Sequence, residues 1–107
     1  RAPRANILIW GPLELDLSQH QFSISGKIVA LTNSEYQFLQ LLMANPQRIF
    51  SREQILETIG SFRGVNSDHI VDTHASRLRK KIREAGGPDV IAVVRSVGFR
   101  LVATSSS

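Results

Sequence analysis

The sequence predicts an α+β fold in which four N-terminal strands precede three helices and a C-terminal β-hairpin. Residues 7–31 hold short apolar runs between turn signals, and residues 32–87 hold three segments with apolar residues at helical spacing. Residues 90–103 then return to two β-rich runs. We therefore expect one domain over residues 7–103, with a linker remnant at 1–6 and a flexible tail at 104–107.

The first part of the chain predicts an antiparallel meander of four strands. The predicted strands are ILIW (7–10), LELDL (13–17), QFSIS (21–25) and GKIVAL (26–31). Turn residues such as Gly11-Pro12 and Ser25-Gly26 separate them. Alternation in the second and third strands leaves one face of the sheet apolar, so we expect helices to cover that face.

Two helices are predicted from their capping signals. Thr32 followed by Glu35 three residues later is a capping box, and Asn45-Pro46 marks the end of this first helix. Ser51 followed by Gln54 repeats the signal for a second helix. The second helix is expected to stop at Gly60.

A third helix over residues 68–85 is predicted to have two unlike faces. On a helical wheel one stripe is apolar and should face the core, and it comprises Val71, Ala75, Leu78, Ile82 and Ala85. The opposite side carries short polar and basic residues, namely His69, Thr73, Ser76, Arg77 and Lys80. Like charges at this spacing repel by a few tenths of a kcal/mol per pair. Burying each large aliphatic side chain contributes roughly 1.5–3 kcal/mol, which outweighs that repulsion.

Positive charge is concentrated in the last third of the chain. The 107 residues carry a net charge of +4, and residues 77–107 alone carry seven basic and two acidic side chains. This asymmetry favours a polyanionic partner, either nucleic acid or an anionic membrane, with a merely solvated face as the alternative. The chain has no cysteine and no apolar run of membrane-spanning length. We expect a cytoplasmic protein that makes no membrane contact, cut from a longer chain because residue 1 is not Met.

The outward face of the third helix has the composition of a DNA-reading helix. Small polar groups permit close approach to a major groove, and an arginine can donate two hydrogen bonds to guanine. The second and third helices follow one another in helix-turn-helix order, and the hairpin carries Arg95 next to its turn, where it can reach a minor groove.

Several of these side chains also have a simpler interpretation. Arg77 contacts bases or phosphates, or is plain surface charge, and Arg79 and Lys80 are candidates for phosphate contacts. Lys81 and Arg83 can simply be solvated. His69 can donate to DNA or cap its own helix. His74 borders the apolar stripe and can be packed.

No metal or cofactor is expected. The five-residue spacing of His69 and His74 does not suit a helical metal pair, which normally needs four.

Four motifs together resemble the winged-helix effector domain of OmpR/PhoB-type response regulators. They are LTNSEYQFLQLL (31–42), SREQIL (51–56), VDTHASRLRKKI (71–82) and VRSVGFRL (94–101). The resemblance covers nearly the whole chain and implies a winged helix-turn-helix fold that binds double-stranded DNA. The sequence departs from the family pattern at Gly60 (often Trp), His69 (often Arg), Phe99 (usually Tyr) and in the wing turn at Ser96-Val97.

The resemblance also implies residues and partners. With the basic residues identified above, the DNA-binding candidates are Arg52, His69, Thr73, His74, Ser76, Arg77, Arg79, Lys80, Arg83 and Arg95. A loop of Ser61, Phe62, Arg63, Gly64, Val65 and Asn66 would approach RNA polymerase. The family implies an N-terminal receiver domain, a sensor kinase acting on it, and tandem direct-repeat DNA bound by a head-to-tail pair. We expect the isolated domain to be monomeric.

Two other classes of function are weaker. A protein-interaction module that docks on RNA polymerase, with secondary DNA affinity, would use the same loop and cations. An enzyme is not expected, because the sequence has no Ser–His–Asp order, glycine-rich phosphate loop or spaced carboxylate pair.

Overall fold

The N-terminal strands form one antiparallel sheet, as predicted. A computed structural model describes residues 6–46, 48–59 and 67–102. The sheet has the order β1-β2-β3-β4 and comprises β1 (Ile7–Trp10), β2 (Leu13–Asp16), β3 (Gln21–Ile24) and β4 (Lys27–Val29). The strand ends lie within two residues of those expected.

The three predicted helices are present as α1 (Asn33–Ala44), α2 (Arg52–Ile59) and α3 (Ser67–Glu84). Both capping boxes form. Thr32 Oγ1 accepts from the Glu35 backbone N–H at 3.2 Å, while Glu35 Oε1 accepts from the Thr32 N–H at 2.9 Å. Ser51 and Gln54 make the equivalent pair of bonds at 3.1 and 2.9 Å. These bonds satisfy backbone donors that would otherwise lack partners at each helix start.

The hairpin is part of a larger sheet than the sequence predicted. Strands β6 (Ile91–Val94) and β7 (Gly98–Leu101) form the expected hairpin. A further strand, β5 (Phe50–Ser51), pairs antiparallel with β7 and gives a three-stranded sheet of order β5-β7-β6. The prediction of four strands and a hairpin was incomplete here, because a two-residue strand is too short to show alternation.

One core joins both sheets and the helices. The predicted inward stripe of α3 is confirmed at Val71, Ala75, Leu78 and Ile82, which are buried, whereas Ala85 is only partly buried. Phe38 of α1 packs edge-to-face on Phe99 of β7, with ring centroids 5.7 Å apart. Trp10 Nε1 donates to the Val102 carbonyl at 2.8 Å and so connects β1 to the chain after β7.

A partly buried ion pair connects α1 to α3. The Glu35 side chain is only 1% exposed, and Lys81 Nζ donates to its Oε1 at 2.6 Å. The interpretation of Lys81 as a solvated charge is therefore wrong. Burial raises the pKa of Glu35, but hydrogen bonds from Lys81 and Thr32 and the Lys81 charge outweigh it, so the pKa is lower than usual.

Gly98→Ala is expected to destabilise the domain. A Cβ atom at Gly98 would lie 1.8 Å from the Phe50 carbonyl oxygen, so β5 and β7 would have to separate. We expect a loss of about 3 kcal/mol or more in the free energy of unfolding, measured with urea. Gly26→Ala is the control, since a Cβ there meets no atom of the described part of the chain within 4 Å. The φ of +84° at Gly26 adds strain of about 1–2 kcal/mol for alanine. Equal stability of the two variants would contradict the close β5–β7 packing.

Glu35→Gln is expected to flatten the acid limb of the stability curve. The folded-state pKa of Glu35 lies below the ordinary value of 4.5, so the stabilising contribution of Glu35 is fully present above pH 4.5 and is lost as pH falls through the folded pKa. The Gln variant should be less stable at pH 7 by about 1–3 kcal/mol. It should then approach the unmodified protein below pH 4.5. A difference in unfolding free energy between the two proteins that is the same at every pH would show that Glu35 makes no pH-dependent contribution to stability.

Candidate nucleic-acid interface

The outward face of α3 is free of the core, as the helical wheel predicts. His69, Ser76, Arg77 and Lys80 are exposed and Thr73 is half-exposed. His69, Thr73, Ser76 and Arg77 line one shallow surface depression together with Asp72. The structure therefore brings most of the predicted helix contacts together on one surface, in the arrangement that a groove-reading helix needs.

Two basic side chains on this face are free to bind a ligand. Arg77 and Lys80 have no hydrogen-bond or ion-pair partner anywhere in the described ranges. Their charged groups can therefore meet phosphate or base acceptors without first breaking an internal bond. Arg83, near the end of α3, is likewise exposed.

His74 is a half-buried histidine at the edge of the face. Its Nδ1 is buried and has no hydrogen-bond partner among the residues that the structure describes. Burial lowers the pKa of His74 below 6.5, and the Arg77 charge acts in the same direction while Glu35 opposes it. The neutral imidazole therefore predominates at pH 7, so a contact to DNA would be a single neutral hydrogen bond.

Arg79 differs from the other predicted phosphate contacts because its side chain is engaged with the fold. Its Nε and Nη2 donate to the Ile91 carbonyl at 3.0 and 2.7 Å, and the residue is half-buried. These bonds fix the start of β6 against α3. A phosphate contact by Arg79 stays a prediction, and it would have to use the remaining N–H groups.

Arg52 is also held inside the protein. Its Nε and Nη2 both lie 3.0 Å from Asp72 Oδ1, and its guanidinium carbon lies 5.1 Å from the centre of the Phe99 ring. Sequence reasoning did not identify Asp72 as part of this face. The signal was its spacing, because Asp72 is three residues after His69 and four before Ser76 and so lies about one helical turn from each.

The hairpin turn presents Arg95 at its tip. Arg95, Ser96 and Val97 are all exposed, and the Val97 N–H donates to the Val94 carbonyl at 2.9 Å to close the turn. Ser96 has a φ of +64°, a conformation that non-glycine residues seldom adopt. The tight turn places the arginine where a DNA groove could receive it.

The remaining site prediction lies outside the described residues. Gly60 and the loop predicted to approach RNA polymerase, residues 61–66, belong to that part of the chain. Within the ranges that the structure describes, no group of three acidic, histidine or cysteine side chains could hold a metal ion. No helix in those ranges is long and apolar enough to cross a membrane.

Comparison with known proteins identifies the family. Residues 26–101, more than half of the chain, match the family described as transcriptional regulatory protein, C terminal. The chain is 35% identical over 97 residues to the phosphate regulon transcriptional regulatory protein PhoB of Rhizobium meliloti, covering 91% of this chain and 43% of that protein. It thus spans less than half the length of that relative.

Two solved structures are similar over most of the domain. One is the DNA-binding domain of the response regulator AdeR in complex with an intercistronic region, with a TM-score of 0.82, 28% identity and coverage of 89% of this chain and 98% of that one. The other is the Klebsiella pneumoniae RstA DNA-binding domain in complex with the RstA box, with a TM-score of 0.77, 29% identity and coverage of 90% and 96%. The chain belongs to the C-terminal family of transcriptional regulatory proteins, as a winged-helix effector domain of the OmpR/PhoB type.

Proposed function

We propose that this domain binds double-stranded DNA sequence-specifically, as the effector domain of a two-component response regulator. The observation that carries the proposal is the division of α3 into a buried apolar stripe and an exposed face with unpaired Arg77 and Lys80. Helix α3 enters the major groove, and the β6–β7 wing, residues 91–102, reaches a minor groove through Arg95.

The chemistry of the exposed face supports this proposal. Arg77 has a guanidinium free to donate two parallel bonds to guanine O6 and N7, and Lys80 is one helical turn away for a phosphate. Thr73 and Ser76 are short, so they do not hold the helix away from the base edges. The similar AdeR and RstA domains have been captured on DNA, which favours the same use of this fold here.

The finer features of the proposal concern partners outside the domain. Two copies bind tandem direct repeats head to tail, while the free domain is monomeric. The loop of residues 61–66 approaches RNA polymerase. In the complete protein a receiver domain precedes residue 1 and a sensor kinase acts on it, in the cytoplasm. The domain itself performs no enzymatic reaction.

Selection from a random duplex library tests the function directly. A sequence-specific binder should enrich one motif, and the enriched duplex should bind at least about a thousandfold more tightly than random DNA. Enrichment of no motif, with equal binding of all duplexes, would contradict sequence-specific recognition. It would favour docking on RNA polymerase as the main activity.

Arg77→Ala and Lys80→Ala should separate base contacts from phosphate contacts. Arg77→Ala is expected to weaken binding to the selected duplex by about 1–3 kcal/mol and to relax the base preference at one position. Lys80→Ala should weaken binding to all duplexes alike. Titrations of both variants with selected and random DNA provide the measurement. Equal losses by Arg77→Ala on both kinds of DNA would assign Arg77 to a phosphate instead.

Salt dependence gives an independent measure of the phosphate contacts. If the domain neutralises about six phosphates, a plot of the logarithm of the binding constant against the logarithm of salt concentration should have a slope of about −5. Lys80→Ala should make that slope shallower by about one. A slope near zero for the unmodified domain would contradict an electrostatic DNA interface.

A further inference from the structure

A carboxylate lies within the proposed DNA-binding face. The Asp72 side chain is 49% exposed, and it lines the same depression as His69, Thr73 and Ser76. A negative charge at such a place repels the phosphates of an approaching duplex. Its presence there therefore needs a physical explanation.

Arg52 neutralises this carboxylate and is itself fixed by the contact. Its Nε donates to Asp72 Oδ1 at 3.0 Å, and its Nη2 lies 3.0 Å from the same oxygen in an ion pair. The guanidinium carbon lies over the Phe99 ring, 5.1 Å from the ring centre, and the face of an aromatic ring stabilises a cation. Arg52 begins α2, Asp72 is in α3 and Phe99 is in β7, so the guanidinium is held by two elements besides its own.

The held guanidinium keeps unused donors. An arginine has five N–H groups. Asp72 accepts a hydrogen bond from Nε and forms an ion pair with Nη2. Nη1 has no partner among the described residues, and the Arg52 side chain is 24% exposed. A long side chain loses rotamer freedom when it is ordered, and Asp72 and Phe99 have already restricted this one before any ligand binds.

We propose that Asp72 is a positioning residue, which orients Arg52 so that its free N–H groups bind a phosphate of the DNA backbone. The proposal rests on the proposed DNA-binding function. Asp72 then has two opposing effects on DNA binding. It repels phosphate directly, and it favours binding by orienting Arg52, and the second effect is the larger.

The sign of one substitution tests this inference. Asp72→Ala removes a negative charge, so electrostatics alone would tighten DNA binding, by up to about threefold. The positioning role predicts the opposite, because Arg52 loses its orientation. We expect binding to weaken by about threefold to thirtyfold on selected and random duplexes alike. Asp72→Asn, which preserves the shape of the side chain, should change affinity in the same direction.

Glu84→Ala is the matched control for charge. Glu84 is an exposed carboxylate near the end of the same helix. Removing it should leave affinity unchanged or tighten it slightly. Titrations are made well below the unfolding temperature of each variant, with circular dichroism to confirm folding, so that a loss of affinity reports binding and not unfolding.

The Arg52→Ala background completes the experiment. With the arginine absent, Asp72 has nothing to position, so adding Asp72→Ala should now tighten binding. Weakening by Asp72→Ala in the unmodified domain, reversed in this background, supports the inference. Tightening in both backgrounds, or equal weakening in both, would overturn it.

The same titrations distinguish this inference from the proposed function. If the unmodified domain binds duplex DNA and Asp72→Ala behaves like Glu84→Ala, only the positioning role is overturned. If the unmodified domain binds no duplex, the proposed function fails, and the positioning role fails with it.

Discussion

Burial of the apolar stripe of α3 is the constraint on which the rest of the structure depends. Arg77, Lys80 and Arg83 lie within two turns of α3, and their mutual repulsion would weaken the helix in isolation. Leu78 is fully buried and Ile82 nearly so, and each contributes more than several repulsive pairs cost. Helix α3 is therefore stable because its apolar stripe packs against the core. This packing leaves the cations on the opposite, exposed face of the helix.

Five of the seven basic residues in the C-terminal third fall into two groups with different roles. Lys81 and Arg79 are engaged in the protein, with Glu35 and with the Ile91 carbonyl. Arg77, Lys80 and Arg95 are exposed and can meet an external anion. Net charge alone overstates the positive charge available to a ligand. Lys81 and Arg79 hold α3 and the wing in a fixed orientation. In that orientation Arg77, Lys80 and Arg95 face solvent and can contact DNA.

Much of the fold could be predicted because its signals are local. The caps at Thr32 and Ser51, the alternation in the first sheet and the stripe of α3 each depend on residues a few positions apart. The sequence also predicted which side chains form the exposed face of α3, because helical periodicity shows which residues lie on the same side of a helix.

What the sequence did not reveal depends on contacts between distant residues. Glu35 and Lys81 are 46 residues apart, and Arg52 and Asp72 are 20 apart. Strand β5 exists only because Phe50 and Ser51 meet β7 across the fold. Periodicity identifies a buried or exposed face but not the partner across it. The sequence therefore did not predict the ion pairs of these residues, and the interpretation of Lys81 as a solvated charge was wrong.

The most direct test of the account is to map the DNA-bound surface by NMR. Amide chemical shifts of the nitrogen-15-labelled domain are followed while a selected duplex is added. If α3 enters the major groove and the wing a minor groove, the largest shift changes should fall on the outward face of α3, around Thr73 and Arg77, and on the wing turn at Arg95. Changes confined to the β1–β4 sheet, with α3 unaffected, would contradict it.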